Sequence, residues 1–188
     1  MATIDFDCLQ LGDVFMSGKG TKSIPFLYGK NPVVWQPESS LTVAYEPGVF
    51  SGEESARVNI CFRLQTDVEE ALVQLDEWVV EQATKASERL FGKAMNEDQI
   101  RAKYQPALKT SDKGYPPVLR AKMNVSGKGV VKIWHDKNPR EPPSPWSGCT
   151  VNARLLIKSL YLMGGNFGCT FEVSDISVLE EPASSCPF

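Results

Sequence analysis

The sequence predicts a mainly β protein, a small antiparallel barrel that carries one long helix. Three observations carry that expectation. Several stretches alternate apolar and polar residues with the period of two that a half-buried strand requires. A single long stretch instead repeats its apolar residues every three to four positions, as an amphipathic helix does. Gly (14) and Pro (13) are frequent enough among the 188 residues to supply many turns between short elements.

Residues 1–37 are rich in Gly, Pro and aromatic side chains and read as an irregular arm with one short strand at most. Residues 41–45 alternate and read as a strand. Residues 57–64 put Val58, Ile60, Phe62 and Leu64 on one face and Arg57, Asn59, Cys61 and Arg63 on the other. A helix is expected over about 67–91. Thr66 and Glu69 have the spacing of a capping box, and Asp67, Glu69 and Glu70 complement the helix dipole. Val68, Leu72, Leu75, Val79, Ala83 and Ala86 form its apolar stripe, and Gly92 stands where it should stop. A short second helix is expected over Glu97–Tyr104, before Pro106.

The remainder reads as strands. Residues 117–125 alternate Leu119, Ala121, Met123 and Val125 against Val118, Arg120, Lys122 and Asn124. Residues 130–135 set Val131 and Ile133 against Lys132 and Trp134. Residues 149–158 turn Cys149, Val151, Ala153, Leu155 and Ile157 inward and Arg154 and Lys158 outward. Along 169–179 the apolar phase slips between Val173 and Ile176, which predicts a β-bulge. Three parts follow: the arm 1–37, a folded domain 38–180, and a flexible tail 181–188.

Composition and motifs narrow the function. No apolar run approaches the roughly 20 residues that span a bilayer, and Met1–Asp7 carries acids and no basic residue. A soluble intracellular protein, in the cytoplasm or in the nucleus of an infected host, is the expectation. The five cysteines are widely spaced, without C-x-x-C, and there is one histidine, so no structural zinc site is expected. Gly12, Gly18 and Lys19 miss the spacing of a phosphate-binding loop, and Gly20 stands where Ser or Thr should hold magnesium. His135 lies beside Asp136 with no nucleophile motif nearby. The chain is therefore not expected to be an enzyme or to need a cofactor.

Charge is sharply segregated within a net of -3. Residues 1–100 carry 8 basic and 16 acidic side chains, residues 101–158 carry 12 and 3, and residues 159–188 carry 0 and 4. A polyanion responds to a local basic face rather than to net charge. Three outward β-faces present Arg120 and Lys122, Lys132 and Trp134, and Arg154 and Lys158. The loop-like segment before them adds Lys103, Lys109 and Lys113 with Tyr104 and Tyr115. Cations interleaved with aromatics suit a single-stranded nucleic acid: the cations track phosphates while unpaired bases stack on the rings. Duplex DNA hides its base faces. Arg120, Lys122, Lys132, Arg154 and Lys158 are the expected phosphate contacts, with Lys103, Lys109 and Lys113 closing over the strand. Trp134, Tyr104 and Tyr115 are the expected stacking rings. The same chemistry suits RNA and is compatible with a homo-oligomer. The terminus Glu180-Glu181-Pro182 through Pro187-Phe188 ends an acidic tail on an aromatic, a tip that would fit a partner's apolar pocket.

The order of elements resembles that of the viral and bacteriophage OB-fold single-stranded DNA-binding proteins. The likeness rests on Lys109…Lys113-Gly114-Tyr115 before a strand with Arg120-Ala121-Lys122. It also rests on Gly148-Cys149-Thr150-Val151-Asn152-Ala153-Arg154, then Tyr161, then Gly168 before a final strand. It spans roughly residues 38–180 and implies an OB-like barrel with one long inserted helix. It further implies sequence-tolerant binding of single-stranded DNA in replication, recombination or repair. The Pro187-Phe188 tip is similar to the partner-binding tip of bacterial and some phage single-strand binders, and implies replication or recombination proteins as partners. The alternative expectation is a viral structural or assembly protein with a β-sandwich fold.

Overall fold

The structure, a computed structural model, describes residues 4–16, 20–49 and 55–182 and is mainly β. Four strands precede residue 38: β1 (Leu9–Leu11), β2 (Phe15–Met16), β3 (Lys22–Tyr28) and β4 (Asn31–Trp35). Then come β5 (Leu41–Val43), β6 (Arg57–Arg63) and the helices α1 (Thr66–Lys85), α2 (Ser87–Phe91) and α3 (Glu97–Arg101). Short strands β7 (Tyr104–Gln105) and β8 (Leu108–Lys109) lead to β9 (Val118–Asn124), β10 (Lys132–His135) and β11 (Asn138–Pro139). The long strands β12 (Thr150–Met163) and β13 (Asn166–Glu180) end the described fold. No helix among the described residues is long and apolar enough to cross a membrane.

Five strands form a closed circuit of pairings: β5 with β6, β6 with β9, β9 with β13, β13 with β12, and β12 back to β5. Within that circuit only β9 and β13 run parallel. The inward positions are the apolar ones of the alternation: Ile60 and Phe62, Leu119 and Ala121, Val151 and Ala153 are all buried. Helix α1 turns Val68, Leu72, Leu75, Val79 and Ala83 into the same core. Each fully buried aliphatic of that stripe contributes about 1.5–3 kcal/mol of transfer free energy. This burial holds the helix in place, and its polar face is left to solvent.

The N-terminal stretch departs from the irregular arm expected for 1–37. Its strands extend the same sheet, since β3 and β4 both pair with β12. Ile24, Phe26, Val33 and Trp35 are buried in the common core. The helical segment also differs. The helix expected to run to residue 91 breaks after Lys85 at Ala86, whose φ of -103° and ψ of 17° leave the helical basin. Thr84 donates its hydroxyl back to the Val80 carbonyl at 2.8 Å, a bond that loosens the helical ladder locally. Ser87 is buried and accepts from the Met95 amide at 3.1 Å, which anchors α2 separately. The N-cap of α1 is Gln65, without a side-chain bond, so Thr66 and Glu69 do not form the expected box. A capping box is found instead at α3, between Asn96 and Gln99. Gly92 closes α2 in the left-handed region, φ 76°.

The β12–β13 hairpin positions the site. Gly164 and Gly165 both have positive φ, 61° and 84°, as a two-residue turn matching the strand twist requires. Below it the pairing jumps from Arg154–Asp175 to Leu155–Val173, so Ser174 is the extra residue of a bulge. That jump is the slip in apolar phase seen along 169–179.

Candidate nucleic-acid interface

The outward positions of β6 and β9 lie side by side: Arg57 faces Asn124, Asn59 faces Lys122, and Cys61 faces Arg120. Beside them β13 changes neighbours, pairing with β9 at Glu172 and Val173 but with β7 at Phe167 and Gly168. Where β9 and β13 part, a cleft of about 460 Å³ opens. Lys109, Arg120 and Lys122 line it together with Thr21, Tyr161 and Met163.

Tyr161 is placed by a glycine. It pairs with Gly168 across the hairpin, and a Cβ at 168 would come within 3.1 Å of the tyrosine ring and 2.8 Å of the Gln105 carbonyl oxygen. Any side chain there would collide, so glycine is required for the ring to lie across the neighbouring strand. The register continues outward from Tyr161 to Ser23 on β3 and from Ser23 to Phe15 on β2. Phe15 is 61% exposed and Met163 62%. Tyr161 and Met163 thus meet three cations at one cleft, and Phe15 lies further out along the same cross-strand row. Sequence reading noted Tyr161 but assigned it no role, and it passed over Phe15 and Met163. The Met-Gly-Gly-Asn hairpin signal at 163–166 would have fixed the register that brings Tyr161 to the cleft.

The expected site residues divide. Lys109, Arg120 and Lys122 come together at the cleft. Lys109 also donates to the Pro106 carbonyl at 2.6 Å. Lys113 and Tyr115 lie exposed in the loop before β9, Tyr115 at 60%. Lys103 donates to the Gly165 carbonyl at 3.3 Å, at the hairpin turn. Tyr104 is not a stacking ring. Its side chain is buried, its hydroxyl donates to Asp76 Oδ1 at 2.5 Å, and its ring packs 5.1 Å from that of Phe167. Lys158 is held by Glu172 at 2.6 Å, and Arg154 lies 4.0 Å from Asp175. Trp134 is half-buried and donates Nε1 to Asp175 at 3.4 Å, and Lys132 sits exposed on the same short strand. Lys132, Trp134 and Arg154 form a second patch further along β13, around Asp175, while Lys158 and Glu172 lie between that patch and the cleft, with Glu172 opposite Lys122. Pro187 and Phe188 lie outside the described residues.

Burial is the chief cause that pulls the ammonium groups of Lys109 and Lys122 below the ordinary 10.5. For Lys122 the neighbouring Arg57 and Arg120 act in the same direction. The nearby Asp76 carboxylate opposes the shift at Lys109. A phosphate docked on these groups would restore their protons. Oligonucleotide binding should therefore take up protons in alkaline solution, and affinity should fall as pH rises through the lowered range of these two lysines, before an ordinary lysine discharges. Titration in two buffers of different ionisation enthalpy measures that uptake. The Cys169 thiol is pushed up to about 12 by burial, so it is no nucleophile at neutral pH. No group of three His, Cys, Asp or Glu among the described residues could hold a metal ion.

No family model matches the chain, and no curated protein matches its sequence. Its fold, however, is similar to that of bacteriophage single-stranded DNA-binding proteins. One is the single-stranded DNA-binding protein from bacteriophage Enc34, solved in complex with single-stranded DNA. That likeness covers 94% of this chain and 96% of that one, at 10% identity and a TM-score of 0.50. Another is gp2.5, a single-stranded DNA-binding protein encoded by bacteriophage T7, with 83% and 91% covered, 9% identity and a TM-score of 0.53. At such identities the likeness is one of fold.

Proposed function

We propose that this chain binds single-stranded DNA without sequence preference, in the cleft beside Tyr161, and serves replication, recombination or repair. The observation that carries the reading is the meeting of Lys109, Arg120 and Lys122 with Tyr161 and Met163 at one cleft. The cations would hold phosphates, Tyr161 would stack on a base, and Phe15 and Met163 would extend the apolar floor. The parallel β9–β13 pairing and the closed circuit of five strands support reading the sheet as an OB-like barrel. All the described strands join in one sheet, whereas a sandwich needs two. The proposed role is non-catalytic and intracellular. Residues 38–180 would carry most of the binding, with Phe15 and Thr21 added from the N-terminal strands; Lys103, Lys113 and Tyr115 would close over the strand, and the Pro187-Phe188 tip would recruit a protein partner.

Tyr161→Ala should weaken oligo-dT binding about 5- to 150-fold, since one stacked base is worth about 1–3 kcal/mol. Tyr161→Phe should retain most of the affinity. Anisotropy of a dye-labelled oligonucleotide reads both variants, with oligo-rU and duplex as comparisons. Equal binding of the alanine variant and the parent would move the site elsewhere on the surface. Tryptophan fluorescence is a poorer probe, because Trp35 and Trp146 are buried, Trp78 packs against the core beside Phe26, and Trp134 belongs to the second patch.

A further inference from the structure

An acid sits at the centre of the basic face. Glu172 is only 8% exposed, yet it lies on β13 directly opposite Lys122 of β9, two residues from Thr170 at the cleft. One of its oxygens accepts from both Arg57 and Lys158, and the other accepts from the Asn124 side-chain amide at 3.2 Å. We propose that Glu172 is an internal counter-ion. In the free protein it occupies the place a phosphate would take between Arg57 and Lys158, and it restrains the attraction of this face for any polyanion. The proposal rests on the reading of the cleft as a single-strand site.

The exposure of the partners points the same way. The side chains of Arg57 and Lys158 are 45% and 52% exposed, so both cations would remain solvated without the acid. The carboxylate is the buried member and needs the cations; they do not need it. A neutral residue at this sheet position would satisfy packing without the desolvation cost of a buried charge. Three residues further on, Asp175 repeats the arrangement with Arg154 and Trp134, so the strand at the middle of the face carries two anions among its cations.

The consequence is selectivity. Charge is the main handle a duplex offers, because its bases are stacked inside. A single strand offers charge and open base faces. Holding two cations on a protein carboxylate lowers the charge-driven part of binding for both, and leaves stacking at Tyr161 to tell them apart.

The test is Glu172→Gln in the full chain, titrated with oligo-dT and with duplex DNA across a salt series. Each phosphate contact adds about 0.7 to the magnitude of the slope of log affinity against log salt for single strands, and about 0.9 for duplex. Releasing one or two cations should steepen the oligo-dT slope by about 0.7–1.4 and raise affinity at 0.15 M salt by about 4- to 14-fold. Duplex affinity should rise at least as much, which narrows the preference for single strands. Unchanged or weaker binding with an unchanged slope would overturn the proposal. A second comparison leaves Glu172 in place. Lys122 makes no salt bridge among the described residues, whereas Lys158 is held by Glu172. Lys158→Gln should therefore flatten the slope by clearly less than Lys122→Gln does, and equal losses would also overturn it. A parent protein that binds no oligonucleotide would instead sink the reading of the cleft.

Discussion

Asp76→Ala is expected to lower folding stability by about 2–4 kcal/mol and to weaken oligonucleotide binding with it. The Asp76 carboxylate accepts from the Tyr104 hydroxyl at 2.5 Å and from the Ala107 amide at 3.1 Å to each oxygen. These bonds tie α1 to the segment that runs through β7 and β8, and so place Lys109 at the cleft. Alanine leaves both donors short of a partner in a largely apolar setting, at a cost of about 1–3 kcal/mol for each unsatisfied group. The Tyr104 hydroxyl keeps a contact with Cys169 Sγ at 3.4 Å, which offsets part of the loss. A melting point about 5–15 °C lower is the corresponding reading for a chain of this size. Acid should not mimic the substitution. Burial raises the Asp76 pKa above the ordinary 3.8 despite these donors. The folded chain therefore holds that proton more tightly than the unfolded one, and the associated stability is present at low pH and lost as pH rises through the folded value. A melting point within 1–2 °C of the parent's would mean that the tie is dispensable.

The double change Arg120→Ala and Lys122→Ala should do the opposite, sparing the fold and damaging the binding. Both residues occupy outward positions of β9, alternating with buried Leu119, Ala121 and Met123. Surface substitutions of this kind cost about 0.5 kcal/mol or less each. Two lost phosphate contacts should flatten the salt slope by about 1.4, which at 0.15 M salt is roughly a tenfold loss of affinity. Thermal melting and an oligo-dT salt series, run side by side, separate the two effects. A collapse of the melting point would show that these side chains support the sheet. An unchanged slope would show that the phosphates pass elsewhere.

What could be read in the sequence followed period and charge. The alternation along 57–64, 117–125 and 149–158 named the buried residues of β6, β9 and β12, because a strand with one buried face must alternate. The bulge at Ser174 was visible for the same reason: it breaks the period. The N-terminal strands were hidden by Pro25 and Pro32, which lie within β3 and β4 and read as breakers. Tyr104 sits in a two-residue strand, too short for any period to reveal its face, and its partner Asp76 lies 28 positions away. Lys109, Arg120 and Lys122 were legible as a group since the charge of 101–158 is so one-sided. Tyr161 was not, because its place follows from pairing with Gly168, and cross-strand register is a property of the folded sheet. The pairing of Lys158 and Arg57 with Glu172 was hidden for that reason too.

The closed circuit of strands also bears on how the chain reaches its fold. Its last links join Thr42 to Thr150, 108 positions apart, and Lys122 to Glu172, 50 positions apart. Contacts so distant in sequence form late, because the entropy of closing such long loops comes before any packing gain. The first link cannot form until β12 has left the ribosome, nor the second until β13 has. A growing chain therefore carries β5, β6 and α1 with their apolar faces incompletely covered until β12 and β13 have been made, and folding should be slow for a domain of this size.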